Sequence, residues 1–410
     1  ARKLAAEGHV VTGLGRHPER AQNQFNNMKW LKADLRHLAQ ASDWTHLLEG
    51  QQIVVNCAGA LQDGLQDDLV ASQQAAMLAL YQAAQRAGIR LVVQISANTE
   101  AAGADTAFLA TKRQADQALM RSGLPHVIFR PALVIGRNAF GGTALLRALA
   151  AIPGVIPLTF PDTPVATVAL DDVADCVARA VAGEIVAPAI HDLAASRPET
   201  LESLVALHRA WLGLPPAPVV RLPPVLARPV SWIADGLGRL GWRSPLRSTA
   251  MAVMAGGLTT AHHLPDHPFL SARQTLANHP AGIQDLWAAR LYLAKPLLFA
   301  GLALFWLLSG LIPLVDPGRA AAFMNPFMPA DVAMSLTLAT CILDIGLGLS
   351  VLFRPWSRRA LIGMLLVSTT YLAFGTLLTP ALWLDPLGPF VKVLPSMLLA
   401  LVALAILEER

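Results

Sequence analysis

Four long apolar runs close the chain: Pro296–Val315, Val332–Phe353, Ala360–Leu378 and Val391–Leu407. They constrain its fold more than any other feature. A helix needs about 20 apolar residues to cross the hydrocarbon core of a bilayer. Each run is near that length, the last being the shortest. Buried helices of a water-soluble protein are seldom this long, this apolar and repeated, so residues 291–410 are expected to form an all-α four-helix transmembrane bundle. Arg354, Arg358 and Arg359 lie between the second and third runs, and Arg290 and Lys295 precede the first. Positive residues stay on the cytoplasmic side. The expected location is the inner (plasma) membrane, multi-pass, with the N-terminal part and the Glu408–Arg410 tail both cytoplasmic.

Ahead of the bundle the pattern changes. Short apolar runs at His9–Leu14, Met28–Ala33, Ile53–Ala58, Arg90–Ile95 and His126–Val134 alternate with helical stretches at Asp67–Ala87 and Phe108–Ser122. Such alternation predicts an α/β fold, a doubly wound parallel sheet covered on both faces. Further helices are expected over Asp171–Gly183 and Thr200–Leu212. Prolines from 215 to 224 then stiffen the chain, which divides as 1–225, a linker 226–290 and 291–410. Residues 225–243 mix Trp232, Ile233, Leu237, Leu240 and Trp242 with Arg228, Arg239 and Arg243. That composition suits a helix lying in a membrane interface and equally an amphipathic helix packed on a soluble core.

The net charge is only +4, and no basic stripe with interleaved aromatics occurs, which argues against nucleic acid as a partner. The three cysteines are far apart: Cys57 and Cys176 fall in runs expected to be buried, and Cys341 in a membrane segment. No disulfide framework or paired-cysteine zinc site is expected. His262, His263 and His267 cluster with Asp266, but their spacing matches no standard metal site.

The glycine-rich turn that opens a dinucleotide fold is missing. Gly13-Leu14-Gly15 is a lone pair of glycines after what reads as the second strand, preceded only by a helix tail. The first strand and its glycine loop are expected upstream of Ala1, and a chain beginning there is expected to bind the cofactor poorly. The remaining positions follow in order. Arg16 comes directly after a strand, where a guanidinium can pair with a 2′-phosphate, favouring NADP over NAD. Asp34 and Leu35 close the next strand, where a carboxylate can accept from an adenine amino group. Asn56, Ala58 and Gly59 end another, small enough for the backbone to approach a cofactor.

Ser96 ends the strand at Arg90–Ile95, and Lys112 follows sixteen residues later in Phe108-Leu109-Ala110-Thr111-Lys112. With Arg130-Pro131-Ala132-Leu133-Val134-Ile135-Gly136 and Val168-Ala169-Leu170-Asp171-Asp172-Val173-Ala174, these motifs make residues 1–185 resemble the atypical branch of the short-chain dehydrogenase/reductase superfamily. The resemblance implies a Rossmann-type domain holding NADP or NAD, with Ser96 and Lys112 as the retained catalytic pair and Pro131 beside the nicotinamide. Family members carry a Tyr-x-x-x-Lys, whose Tyr and Lys share one helix face. In them Lys holds the nicotinamide ribose and lowers the Tyr pKa, while Tyr exchanges a proton with substrate. Here Phe108 takes the Tyr position and has no proton to exchange. None of Tyr81, Tyr292 and Tyr371 is an evident replacement. The pattern is similar to relatives that hold a nucleotide without reducing a typical substrate, such as the dehydrogenase-like accessory subunit of respiratory complex I.

The terminal bundle resembles the DoxX-like family of small four-helix membrane proteins, some linked to quinone or thiol redox chemistry. Asp344, inside the second run, marks either a bond to a neighbouring helix or a site for an ion, proton or quinone. Two functions are therefore expected. One is a membrane-anchored oxidoreductase using NADP or NAD on a quinone or other lipophilic substrate. The other is a non-catalytic nucleotide-binding module that assembles or regulates a membrane partner.

Overall fold

The computed structural model describes residues 1–60, 62–65, 67–98, 106–255, 257, 264 and 267–408. Two compact units emerge. One comprises Ala1–Gly236 with Arg243–Ala289, the other Leu237–Trp242 with Arg290–Arg410.

The first unit is built on β1 (Thr12–Gly15), β2 (Lys29–Lys32), β3 (Ile53–Asn56), β4 (Leu91–Ile95), β5 (His126–Pro131), β6 (Leu133–Ile135), β7 (Thr167–Ala169) and β8 (Ala189–Leu193). Strands β8-β5-β4-β3 lie side by side as a parallel sheet, and β1 pairs with β2, also in parallel. Helices cover both faces of the four-stranded sheet. Val92 and Ile128 pack with Met77, Leu80 and Ala84 of α1 (Ala76–Arg86) and with Ala115 and Leu119 of α2 (Ala107–Arg121). Their neighbours Val93, Val127 and Phe129 face the other way, onto Val173, Cys176, Val177 and Ala180 of α3 (Leu170–Ala182). Period-2 side-chain alternation thus feeds two cores, and strands buried on both faces read as continuous apolar runs. The α/β expectation holds.

Several expected boundaries move. The apolar run His126–Val134 is two strands: the amide of Ala132 donates to Leu193 O at 2.9 Å and that of Leu133 to Ala166 O at 3.1 Å, so the chain changes partner just past Pro131, which has no N–H to give. β6 then pairs with β7. The first strand starts at Thr12 rather than His9, and Val10 is left 96% exposed. The helix expected over Asp67–Ala87 begins at Val70, with Val70–Ala75 wound as a π-helix before α1. Helix α4 (Leu201–Trp211) starts from the Thr200 cap, whose hydroxyl accepts from Ser203 N at 3.1 Å.

Helix α5 (Pro224–Arg239) leaves Val225, Leu226, Val230, Trp232 and Ile233 exposed and buries Ser231 and Ala234. Beyond it α6 (Ile283–Leu311), α7 (Ala330–Leu352), α8 (Ser357–Leu378) and α9 (Pro389–Ala405) carry the apolar runs. Three helical segments, Ile283–Val315, Ala330–Leu352 and Ser357–Leu378, are long and apolar enough to cross a membrane; α9 is shorter, at 17 residues. Four expected spans are thus three plus one short apolar helix, which at about 1.5 Å per residue falls short of a core about 30 Å thick. The first span also begins earlier than Pro296, which lies inside α6.

Candidate active site

Polar side chains converge where β3 and β4 end. Lys112, on α2, is buried. Its Nζ donates to Ala58 O at 2.9 Å and to Ile95 O at 3.1 Å, clamping the two strand ends together. Burial pushes its pKa down, while the Asp116 carboxylate pulls the other way. Gly59 lies directly beside it: a Cβ there would come within 3.4 Å of Lys112 Nζ. A bare backbone next to a buried ammonium at the carboxyl end of a parallel sheet fits the ribose and phosphates of a dinucleotide.

A hydrogen-bonded network holds this edge. Asn56 Oδ1 accepts from Ala58 N at 2.9 Å, and Asn56 Nδ2 donates to Gln94 Oε1 at 2.8 Å. The Tyr81 hydroxyl also donates to Gln94 Oε1, at 3.3 Å. Burial pushes the Tyr81 phenol up, leaving it neutral and structural. Gln73 Nε2 donates to Ala60 O at 2.6 Å. Asn56 was legible in the sequence; Gln73, Tyr81 and Gln94 were not, because each looks like an ordinary residue of its helix or strand.

Ser96 and Lys112 come together, with a third residue that the sequence did not single out. Ser96 Oγ donates to Asp116 Oδ2 at 2.6 Å. Asp116 is 1% exposed, and its Oδ1 has no hydrogen-bond partner. Burial raises its pKa to about 6, against the pull of Ser96, Arg130 and Lys112. Phe108, Lys112 and Asp116 recur every four residues, on one face of α2. A carboxylate on the stripe that carries buried lysine is the signal that could have found it. Phe108 is half-buried at the start of α2, behind the Thr106 cap.

The other expected contacts lie apart from this cluster. Arg16 Nη2 donates to Asp67 Oδ1 at 3.2 Å, and Arg243 pairs with the same carboxylate. Asp34 spends its carboxylate locally: it caps the turn Leu35–His37 through Arg36 N at 3.1 Å and pairs with Arg36 Nη2 at 2.6 Å. Arg36 holds it down to about 2. Leu35 packs against the α1–α2 core. Pro131 ends β5 at the strand switch. Gly136 packs closely on Leu170, since a Cβ there would sit 3.0 Å from Leu170 Cβ.

Cys57 was expected to be buried and is exposed, because the chain has already left β3 for the turn; Cys176 and Cys341 are buried. His262, His263 and Asp266 lie outside the described residues. His267 packs edge-on against Phe269. In the second unit Asp344, buried on α7, accepts from Ser309 Oγ of α6 at 2.9 Å and from the Tyr371 hydroxyl of α8 at 3.0 Å.

Comparison with known proteins agrees with this geometry. Residues 1–184 match the NAD(P)H-binding family model, and residues 303–401 match that of the DoxX-like family. The chain is thus an NAD(P)H-binding, Rossmann-type domain followed by a DoxX-like domain with candidate membrane-spanning helices. The DoxX-like resemblance read from the sequence holds, and the resemblance of residues 1–185 holds as an NAD(P)H-binding, Rossmann-type domain. Among solved structures it is similar to the Bordetella bronchiseptica enzyme WbmH in complex with NAD+ (16% identity, 67% of this chain and 90% of that one, TM-score 0.50). It is similar also to the NADPH-dependent quinone oxidoreductase QOR2 of Escherichia coli complexed with NADPH (17%, 68% and 93%, 0.50), and to a nucleoside-diphosphate-sugar epimerase from Staphylococcus aureus (14%, 67% and 93%, 0.50). At these identities the likeness shows the fold alone. No curated protein matches the chain.

Proposed function

We propose that the chain is a membrane-anchored oxidoreductase that uses NADP or NAD to reduce a quinone or another lipophilic substrate. The observation that carries this reading is the fusion itself: an NAD(P)H-binding domain whose Lys112 and Ser96 sit at the sheet's carboxyl edge, on the same chain as helices suited to a bilayer. The membrane concentrates a lipophilic substrate, and the cofactor supplies a hydride. Lys112 would hold the nicotinamide ribose, Gly59 and Ala58 would let the cofactor approach, and Arg16 would favour NADP. Arg16, Asp34, Leu35, Asn56, Ala58, Gly59, Ser96, Lys112 and Pro131 remain the cofactor contacts we propose. The exposed apolar residues of α5 support its lying in the membrane interface. The Asp344–Ser309–Tyr371 cluster supports a polar site within the bundle. The inner-membrane, cytoplasm-facing arrangement belongs to the same proposal and rests on the positive residues beside the spans.

Phe108 favours a second reading, a non-catalytic nucleotide-binding module that regulates or assembles a membrane partner. The full-length chain in lipid vesicles separates the two: the first expects NADPH or NADH oxidation that depends on added short-chain quinone. Cofactor binding by calorimetry with no oxidation, across a panel of quinones, would leave the second.

A further inference from the structure

Asp116, bonded to Ser96, has no assigned role, and the geometry of the pair has a chemical consequence. Asp116 sits on α2 one turn past Lys112, with Oδ2 in a 2.6 Å bond to Ser96 Oγ and Oδ1 buried without a partner. A buried carboxylate with one oxygen unsatisfied is costly as an anion, and far less so as a neutral acid. Neutral Asp116 reverses the bond. Its Oδ2–H donates to Ser96 Oγ, and the serine hydroxyl is released to donate elsewhere. Ser96 follows directly on Ile95, whose carbonyl Lys112 holds, so that freed donor lies next to the lysine the cofactor would use.

We infer that Asp116, acting through Ser96, holds the proton consumed by reduction at this site, in place of the phenol that Phe108 lacks. This rests on the oxidoreductase reading above. The bound cofactor supplies the hydride. The Ser96 O–H bond breaks as its proton goes to the substrate's carbonyl oxygen, and the Asp116 O–H bond breaks as that proton re-forms the serine hydroxyl. Solvent then reprotonates Asp116. Substrate gains hydride and proton, and reduced cofactor becomes oxidised. Ser96 is the catalytic residue and Asp116 a positioning residue behind it.

The groups facing Asp116 set the pH window. Lys112 on α2 and Arg130 on β5 favour the ionised form; burial, with neutral Tyr81 alongside on α1, outweighs them. The acid carries its proton up to about pH 6, whereas an unperturbed Asp loses it near about 3.9. Proton delivery therefore declines as pH rises through that upper value.

The test uses the full-length chain in lipid vesicles, with aspartate carboxyls isotopically labelled for infrared spectroscopy. The expected result is a protonated-carboxyl band, absent in Asp116→Asn, that titrates with a midpoint near 6 and shifts in Ser96→Ala. With NADPH and a short-chain quinone, Asp116→Asn should lower kcat about a hundredfold and flatten the pH profile on that limb, with the KM for NADPH little changed. Asp116→Glu should restore part of the activity, and Phe108→Tyr should make turnover insensitive to Asp116→Asn. A carboxyl band that titrates like an unperturbed Asp, with a midpoint near about 3.9, overturns the inference, as does Asp116→Asn with wild-type kcat and pH profile. Absence of quinone turnover in the wild type, with the titrating band present, sinks the oxidoreductase reading, and the inference falls with it.

Discussion

At position 16 a guanidinium already has a partner, and that changes what its removal should show. Arg16 is bonded to Asp67, which also receives Arg243. If a 2′-phosphate replaces that contact, Arg16→Ala weakens NADPH binding far more than NADH, by about 1.5–3 kcal/mol or one to two decades in Kd. Equal losses in calorimetric titrations with the two cofactors would mean that Arg16 reads no phosphate. Another residue governs acid stability. His208 is fully buried on α4, its Nδ1 2.8 Å from Leu204 O. Burial, aided by nearby Arg147, holds its pKa down to about 4, against about 6.5 in an unfolded chain. The unfolded state therefore takes up a proton first. Stability from this group is fully present above pH about 6.5 and is lost as pH falls toward the folded value. Urea midpoints should drop between neutral pH and about pH 5, and less so in His208→Phe; identical pH dependence of the two chains would rule out His208 as the cause. Ser96 and Lys112 were legible because their spacing carries meaning, whereas Asp116 was not, since a lone Asp in Lys-Arg-Gln-Ala-Asp reads as a solvated face until burial is known.

At the scale of elements, the apolar period predicted α3 and α4 to within a residue or two, since an amphipathic helix writes its buried face into the chain. Boundaries that depend on a distant partner were not readable. β5 ends and β6 begins because Leu193 and Ala166 offer carbonyls from elsewhere in the chain. The apolar run Pro296–Val315 differed in another way: α6 starts at Ile283 and continues through Pro296, as membrane helices tolerate. Helix contacts in the second unit were equally hidden. A Cβ on Gly310 of α6 would lie 2.5 Å from Cys341 O and 2.7 Å from Ile345 Cγ1, both on α7, whereas one on Gly301 would meet nothing within 4 Å. Small residues let membrane helices approach backbone to backbone. Gly310→Val should therefore destabilise the bundle by about 1–3 kcal/mol and Gly301→Ala hardly at all. Thermal unfolding in detergent, followed by tryptophan fluorescence, compares them; equal midpoints would refute the close approach.

For the whole molecule, the strongest reading was the split between a charged α/β half and an apolar helical half, because composition alone decides where water can be excluded. Alkaline carbonate treatment of membranes should leave the chain in the pellet, and recovery of folded chain in the supernatant would contradict a spanning arrangement. What composition could not show is how the chain is apportioned. Leu237–Trp242 belongs to the helical unit although the forty-odd residues after it, Arg243–Ala289, return to the other. Trp242 Nε1 donates to Leu352 O at 2.6 Å, its ring meets Phe299 edge-on, and Arg354 N donates to Leu240 O at 3.0 Å. The chain therefore crosses between the two units three times, after Gly236, Trp242 and Ala289. A protease cut after Ala289 leaves Leu237–Trp242, which belongs to the helical unit, on the N-terminal fragment. A fragment expressed as 1–289 carries a bare Leu-Gly-Arg-Leu-Gly-Trp strip that has lost its seat, so it should stick to micelles and to itself even though it contains no span.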